Sequence, residues 1–141
     1  MIQVISGVPG SGKTYYAVDF LVKNYLDDSY QFKSETLKDG AIKQFTLFTN
    51  IDDLKVDHIE LDQAIKAAGG IEKFFTVDYQ KRIKEKYPYI IYIIDECQRY
   101  FPSFGFKHRD VFYFFEYHRH LDIDIILLTQ NSKKVARDII D

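Results

Sequence analysis

Glycines, a lysine and a threonine near the start of the chain are spaced in a pattern suited to binding phosphate groups. Residues 7–14 match G-x-x-x-x-G-K-[ST] at every fixed position, and a short apolar run precedes them. Glycines let the backbone curl so that successive N–H groups point at phosphate oxygens, and a following helix adds the positive end of its dipole. The sequence therefore predicts a phosphate-binding loop of the P-loop type rather than a chance glycine-rich turn.

This loop predicts specific roles for its residues. Lys13 should reach the β- and γ-phosphates of ATP, and the Thr14 hydroxyl should ligate Mg²⁺. The residues predicted to contact the nucleotide are Gly7, Val8, Pro9, Gly10, Ser11, Gly12, Lys13, Thr14 and Tyr15.

A pair of acids, Asp95 and Glu96, follows five consecutive apolar residues at 90–94. That order is typical of a Walker B strand, which brings a carboxylate close to the phosphate loop to hold Mg²⁺. We assign the metal to Asp95, and we expect Glu96 to orient and deprotonate an attacking water. The alternative is that both acids are merely solvated side chains at a strand end. The phosphate loop upstream favours the metal-binding interpretation.

Gln130 ends a later apolar run, followed by Asn131. In many ATPases with an extra strand between the P-loop strand and the Walker B strand, a polar residue at this tip contacts the γ-phosphate or the lytic water. Gln130 fits that role, with Asn131 second and Thr129 third. A simple cap of the next helix is the alternative, because Asn and Ser favour caps.

Arginine often stabilises the negative charge that develops during phosphoryl transfer. Arg119 lies just before the last predicted strand, where its side chain could leave one subunit and enter the site of the next. A cation at a helix C-terminus is an equally good explanation. Arg99 follows the acids closely and is the next candidate, and the remaining arginines are Arg82, Arg109 and Arg137.

The elements that must position these residues alternate between short apolar runs and helical patterns, which is typical of an α/β fold with a parallel sheet. The predicted strands are 2–5, 45–49, 90–94 and 124–129. Helical spacing predicts helices around 17–25, 61–68 and 111–118, and a final helix containing Val135 and Ile139. Of the stretches 27–40 and 74–86, we expect one to be a loop and the other a helical insertion.

Composition limits the class of protein. The 141 residues suit one domain, 1–141, and 46% hydrophobic with 28% charged residues indicates a folded soluble domain. The formal charge is −2, so the chain as a whole is not strongly basic, unlike many nucleic-acid-binding proteins. Basic patches on part of the surface are still compatible with this charge. A single cysteine, Cys97, excludes a disulfide-dense scaffold and fits a reducing compartment. We find neither a signal peptide nor an apolar run of the roughly 20 residues that a spanning helix needs.

Four segments together resemble the zonula occludens toxin family, the gene I type assembly proteins of filamentous phages and prophages. They are GVPGSGKT at 7–14, TNI at 49–51, YIIYIIDECQRYFP at 89–102 and HRHLDIDIILLTQN at 118–131. The resemblance runs along nearly the whole chain, and the last segment is its most specific part. It implies a three-layer α/β/α P-loop fold with a mostly parallel sheet, in the additional-strand, catalytic-glutamate division.

The resemblance also implies a cellular location and binding partners. It points to the cytoplasm, at the cytoplasmic face of the host inner membrane, and to a role in assembling and extruding virions. The implied partners are further copies of the chain in a ring such as a hexamer, phage coat or assembly proteins, and single-stranded phage DNA. Family members usually continue into a transmembrane segment and a tail, so we expect 1–141 to be a fragment or a shortened protein whose sheet lacks the last core strand. The protein would contact the membrane only through such a C-terminal transmembrane segment.

Three functions follow from these residues. The first is a domain that binds ATP with Mg²⁺ and hydrolyses it to drive phage assembly. The second is a P-loop kinase acting on a small molecule, for which 74–86 is the only lid candidate. The third is a regulatory nucleotide-binding module without turnover. Glu96 beside Asp95, with Gln130 at the next strand tip, favours water activation and hence the ATPase.

Overall fold

The computed structural model describes residues 1–8, 10 and 12–140 and shows a parallel five-stranded sheet with helices on both faces. The predicted contacts of Pro9 and Ser11 with nucleotide lie outside the described residues. The strands are β1 (Ile2–Ser6), β2 (Glu35–Thr36), β3 (Ile42–Lys43), β4 (Phe45–Thr49), β5 (Ile59–Glu60), β6 (Tyr89–Ile94) and β7 (Ile123–Thr129). The α-helices are α1 (Lys13–Tyr25), α2 (Leu61–Ala68), α3 (Ile71–Phe74), α4 (Val77–Lys86), α5 (Arg109–Tyr117) and α6 (Arg137–Ile140). Short 3₁₀ turns cover Cys97–Arg99, His118–Leu121 and Ser132–Lys134.

The strand order across the main sheet is β1-β7-β6-β4-β5, and all neighbours are parallel. β7 therefore lies between the strand that precedes the phosphate loop and the strand that precedes the two acids. This is the arrangement expected for the additional-strand division. Because parallel strands end at the same edge, the residues that follow β1, β7, β6 and β4 are brought together there.

Side chains alternate between the two faces of the buried β6 strand and so build two apolar layers. Ile90, Tyr92 and Ile94 belong to a large cluster that includes α2 and α5 residues. Ile91 and Ile93 belong to a second cluster with residues of α1. The sheet is thus covered on both sides, which confirms the predicted three-layer α/β/α architecture.

The four predicted strands are present within a residue or two. The periodicity missed the short edge strand β5 and the β2–β3 hairpin, since two-residue strands leave no pattern. Stretch 27–40 is largely irregular, whereas 74–86 contains α4, as expected for one loop and one helical insertion. Among the described residues β1 pairs only with β7, in agreement with a sheet that lacks the last core strand.

The last helix is shorter than the sequence pattern indicates. Val135 lies in an isolated bridge with Pro102, and α6 begins at Arg137. The spacing of Val135 and Ile139 therefore reflects two buried positions on different local structures, not one helical face. In the part of the chain that the structure describes, no helix has both the length and the hydropathy needed to span a membrane.

Candidate nucleotide-binding site

The phosphate loop leaves the end of β1 and turns into α1. The Gly7 N–H donates to the Thr129 carbonyl at 3.1 Å, which fixes the start of the loop to the end of β7. Gly10 and Gly12 have φ of +81° and +89°, a left-handed conformation that L side chains rarely adopt. A Cβ on either would meet nothing within 4 Å, so backbone conformation, and not space, requires glycine at both positions.

Helix α1 begins at Lys13, directly after Gly12. Toward the described residues, the Lys13 ammonium group makes one hydrogen bond, a long one of 3.4 Å to the Val8 carbonyl, so it is available for an anion. Thr14 and Tyr15 are exposed on the first turn, and Tyr15 is 77% accessible. The N-terminal turn of α1 thus presents a free cation, a hydroxyl and the positive end of the helix dipole at one place.

Asn50, at the end of β4, holds the backbone of Asp95 from both sides. The Asp95 N–H donates to Asn50 Oδ1 at 2.7 Å, and Asn50 Nδ2 donates to the Asp95 carbonyl at 2.8 Å. Asn50 Nδ2 also donates to the Tyr100 hydroxyl oxygen at 2.9 Å, and that hydroxyl donates to Asp62. Sequence analysis did not single out Asn50 as a site residue; its position at the tip of a predicted strand was the available signal.

The two acids point from a tight turn at the end of β6. Glu96 adopts a left-handed conformation with φ of 52°, and its N–H donates to Asp95 Oδ1 at 2.9 Å. Burial raises the pKa of the Asp95 carboxyl above its usual value, and the charge of Glu96 adds to this; the hydrogen bond from the Glu96 N–H and the charge of Lys13 oppose it. The Lys13 contribution indicates that the Asp95 carboxylate and the phosphate-loop lysine are electrostatic neighbours.

Two amide side chains contact the Glu96 carboxylate at the tips of β6 and β7. Gln98 Nε2 donates to Glu96 Oε2 at 2.7 Å, and Gln130 Nε2 lies 3.3 Å from Glu96 Oε1. The Thr129 hydroxyl donates to Gln98 Oε1 at 2.7 Å and so fixes the orientation of the Gln98 amide. The structure therefore brings the predicted base together with Gln130. It adds Gln98, whose only sequence signal was its place two residues after Glu96.

Asn131 instead caps the following 3₁₀ turn, because its Oδ1 accepts from the Lys133 N–H at 3.0 Å. The capping role that we considered for this region thus belongs to Asn131 and leaves the Gln130 side chain at Glu96.

Arg119 is not brought together with these residues within one chain. It lies in the turn His118–Leu121, before β7, whereas Thr129 and Gln130 lie at the other end of that strand. Seven strand residues span about 23 Å, well beyond the reach of an arginine side chain. A role for Arg119 at the phosphates of its own subunit is excluded, and a role in a neighbouring subunit stays a prediction. Arg99, in contrast, is exposed at the same edge as the acids.

The proposed kinase lid is part of the core. Phe74 and Phe75 are buried, and so is Gln80 of α4. Gln80 Nε2 donates to the Phe74 carbonyl at 2.9 Å, and the Tyr92 hydroxyl of β6 donates to Gln80 Oε1 at 2.5 Å. A segment fastened to the central strand in this way does not open and close over a substrate.

The donor atoms fit a hard divalent cation such as Mg²⁺. Among the described residues, the Thr14 hydroxyl and Asp95 Oδ2 have no hydrogen-bond partner. Hydroxyl and carboxylate oxygens are ligands that Mg²⁺ accepts, usually together with waters and phosphate oxygens.

Comparison with solved structures gives the same fold. The N-terminal domain of zonular occludens toxin from Neisseria meningitidis is 29% identical, with a TM-score of 0.67 over 98% of this chain and 70% of that chain. The genome packaging NTPase B204 of Sulfolobus turreted icosahedral virus 2 is 18% identical in complex with AMPPCP, with a TM-score of 0.62 over 98% of this chain and 68% of that chain. In complex with ATP-gammaS it is 17% identical, with a TM-score of 0.60 and coverage of 98% and 68%.

At the level of sequence, no curated protein matches the chain. The family model described as Zonular occludens toxin (Zot) matches residues 1–140. The chain therefore belongs to the Zot family.

Proposed function

We propose that this chain binds ATP with Mg²⁺ and hydrolyses it to power the assembly and extrusion of filamentous phage at the cytoplasmic face of the host inner membrane. The observation that carries the proposal is the position of Glu96, whose carboxylate faces the Gln130 amide at the tip of the strand next to the phosphate loop. Membership of the Zot family and the fold shared with a genome packaging NTPase support it.

Each residue has a distinct part in hydrolysis. The loop N–H groups and Lys13 bind the β- and γ-phosphates, and Thr14 with Asp95 would hold Mg²⁺. When bound, Mg²⁺ neutralises charge on the phosphate oxygens. Glu96 accepts the proton of the attacking water, and Gln130 donates a hydrogen bond to that water or to the γ-phosphate. Gln98 keeps the Glu96 carboxylate turned toward this position.

The same proposal includes self-association. Arg119 lies too far from its own phosphate loop to act there, so we infer that it completes the site of a neighbour in a ring. Phage coat or assembly proteins and single-stranded DNA are the polymers on which such a ring would act.

Phosphate release by the purified chain tests the proposal. We expect Mg²⁺-dependent release of inorganic phosphate from ATP at a rate that rises faster than linearly with protein concentration, because a neighbour contributes to each site. Transfer of the γ-phosphate to an added small molecule without free phosphate would support a kinase instead. ATP binding without release at any protein concentration, with or without DNA, would support a regulatory module.

A further inference from the structure

A second surface lies at the same edge of the sheet as the phosphate loop and takes no part in the proposed hydrolysis. Phe104 is 94% exposed, more than any other large hydrophobic side chain that the structure describes. It lies between the turn Cys97–Arg99 and α5. A phenyl ring this exposed makes no contribution to the core.

The segment that carries Phe104 is anchored on both sides of it. The Ser103 N–H donates to the Lys134 carbonyl at 2.8 Å. On the other side, the Phe106 ring packs against Phe101 and Phe112, with centroids 5.7 Å away in each case. Phe104 is therefore held at the tip of a short loop and directed away from the core.

The segments that carry and adjoin Phe104 are rich in lysine and arginine, and the acids Glu96, Asp110 and Asp138 lie immediately outside them. Segments 97–109 and 130–137 contain no Asp or Glu, in a chain with 21 acidic residues. Hydrogen bonds from Ser103 to Lys134 and from Ala136 to Phe101 join the two segments. Five of the six exposed Lys and Arg side chains in these segments form no ion pair with a described residue. We call Phe104 and these cations the Phe104 surface; the cations are Arg99, Lys107, Arg109, Lys133 and Lys134.

We propose that the Phe104 surface binds single-stranded nucleic acid, with a base stacked on Phe104 and phosphates on the surrounding cations. The cations complement a polyanion, and an exposed aromatic ring offers a platform that any base can stack on. A duplex keeps its bases inside, so the exposed ring favours a single strand. The proposal deepens the proposed function by assigning the surface that holds the polymer, but the binding itself needs no nucleotide.

Fluorescence anisotropy of a labelled oligodeoxythymidine of about 20 nucleotides, measured without ATP, tests the proposal. We expect Phe104→Ala to weaken binding about tenfold, as for the loss of one stacked base, and Phe104→Trp to preserve it. Phe104 is exposed, so both variants should fold, which circular dichroism can check. Tyr30 is a matched control because it is 64% exposed beyond the far end of α1. Its φ of 59° tolerates asparagine, so Tyr30→Asn should bind like the wild type.

The salt dependence tests the cations separately. A double variant, Lys133→Gln with Lys134→Gln, should reduce the slope of log affinity against log salt by about 1.4, since each phosphate contact on a single strand contributes about 0.7. The matched control is Lys33→Gln with Lys38→Gln, two exposed lysines on the opposite side of the fold. This control should leave the slope unchanged.

Competition identifies the class of polymer. Unlabelled oligodeoxythymidine should displace the probe at far lower concentration than a blunt duplex or polyglutamate. Equal competition by polyglutamate would mean that the surface recognises acidic polypeptide, and the proposal would be wrong. It would also be wrong if Phe104→Ala bound as tightly as the wild type or if no binding occurred at low salt. ATP binding is measured separately, so failure of the motor function and failure of this surface are distinguishable.

Discussion

Gln98 donates a 2.7 Å hydrogen bond from Nε2 to Glu96 Oε2, and it can do so because its Oε1 is already occupied by the Thr129 hydroxyl. A carboxylate only accepts hydrogen bonds, so the favoured amide orientation turns the NH₂ group toward Glu96 and leaves Oε1 to accept from the Thr129 hydroxyl. A residue on the turn after β6 thereby fixes the carboxylate at the tip of β6 relative to β7. Gln98 is a positioning residue for the proposed base.

Removing this link should slow hydrolysis without weakening nucleotide binding. We expect Gln98→Ala to lower kcat of ATP hydrolysis about tenfold, since a misdirected carboxylate loses part of the 10²–10⁴-fold that a general base supplies. The ATP dissociation constant should stay within about twofold because Gln98 is not expected to touch phosphate. Gln63→Ala, which removes an exposed amide on α2, is the control. Loss of ATP affinity in Gln98→Ala would place this side chain in the binding site itself.

Lys13→Ala should weaken ATP binding while leaving the fold intact. Among the residues that the structure describes, the Lys13 side chain bonds only to the Val8 carbonyl, at a long 3.4 Å, so the folded state loses little. A lost charge-assisted contact to phosphate costs about 1.5–3 kcal/mol, which is roughly tenfold or more in affinity. Isothermal titration with a non-hydrolysable ATP analogue measures the change, and thermal unfolding without nucleotide should give an unchanged Tm. Wild-type affinity in this variant would refute the phosphate-loop assignment.

The two acids should separate into different defects. Glu96→Gln keeps the shape of the side chain but cannot accept a proton, so ATP and Mg²⁺ should bind while phosphate release falls by about 10²–10⁴-fold. Asp95→Asn should instead weaken the Mg²⁺-dependent part of ATP binding, because the amide is a poorer ligand for a hard cation. Binding titrations with and without Mg²⁺, and steady-state phosphate release, distinguish the two. Turnover at the wild-type rate in Glu96→Gln would mean that another residue is the general base.

The predictable parts of this site were those encoded by local patterns. Glycines, Lys13 and Thr14 form a contiguous motif, and Asp95 with Glu96 follow an apolar strand, so periodicity was enough to find them. Their neighbours depend on strand order instead. Asn50 reaches Asp95 from 45 residues away along the chain, because β4 pairs with β6. Short edge strands and the left-handed turn at Glu96 likewise arise only from three-dimensional packing, whereas the separation of Arg119 from Gln130 follows from the predicted strand between them.

Cys97 should be inert in the folded protein. Its side chain is fully buried behind the acids, and burial raises the pKa of its thiol to about 12. At pH 8 the folded protein therefore holds almost no thiolate, whereas the unfolded chain, with a pKa near 8.5, holds a substantial fraction. Ellman's reagent should react only after unfolding in denaturant. Because the thiol pKa is higher in the folded state, the folded protein binds this proton more tightly than the unfolded chain. The contribution of Cys97 to the free energy of unfolding is therefore lost as pH rises from about 9 toward 12. Rapid labelling under native conditions at pH 8 would contradict this burial.

Arg119 should act on a neighbouring subunit, because about 23 Å of β7 separates it from its own phosphate loop. Arg119→Ala and Glu96→Gln should each be inactive alone, since an arginine finger contributes about 10³–10⁵ to turnover. Mixed subunits should regain part of the activity. In a mixed interface, the intact Glu96 of the Arg119→Ala subunit faces the intact Arg119 of its neighbour. Phosphate release as a function of mixing ratio measures the recovery, with Arg82→Ala of α4 in place of Arg119→Ala as the matched control. No recovery in mixtures that demonstrably co-assemble would leave Arg119 as a cation at a helix end and would make Arg99, on the same edge as Glu96, the next residue to replace.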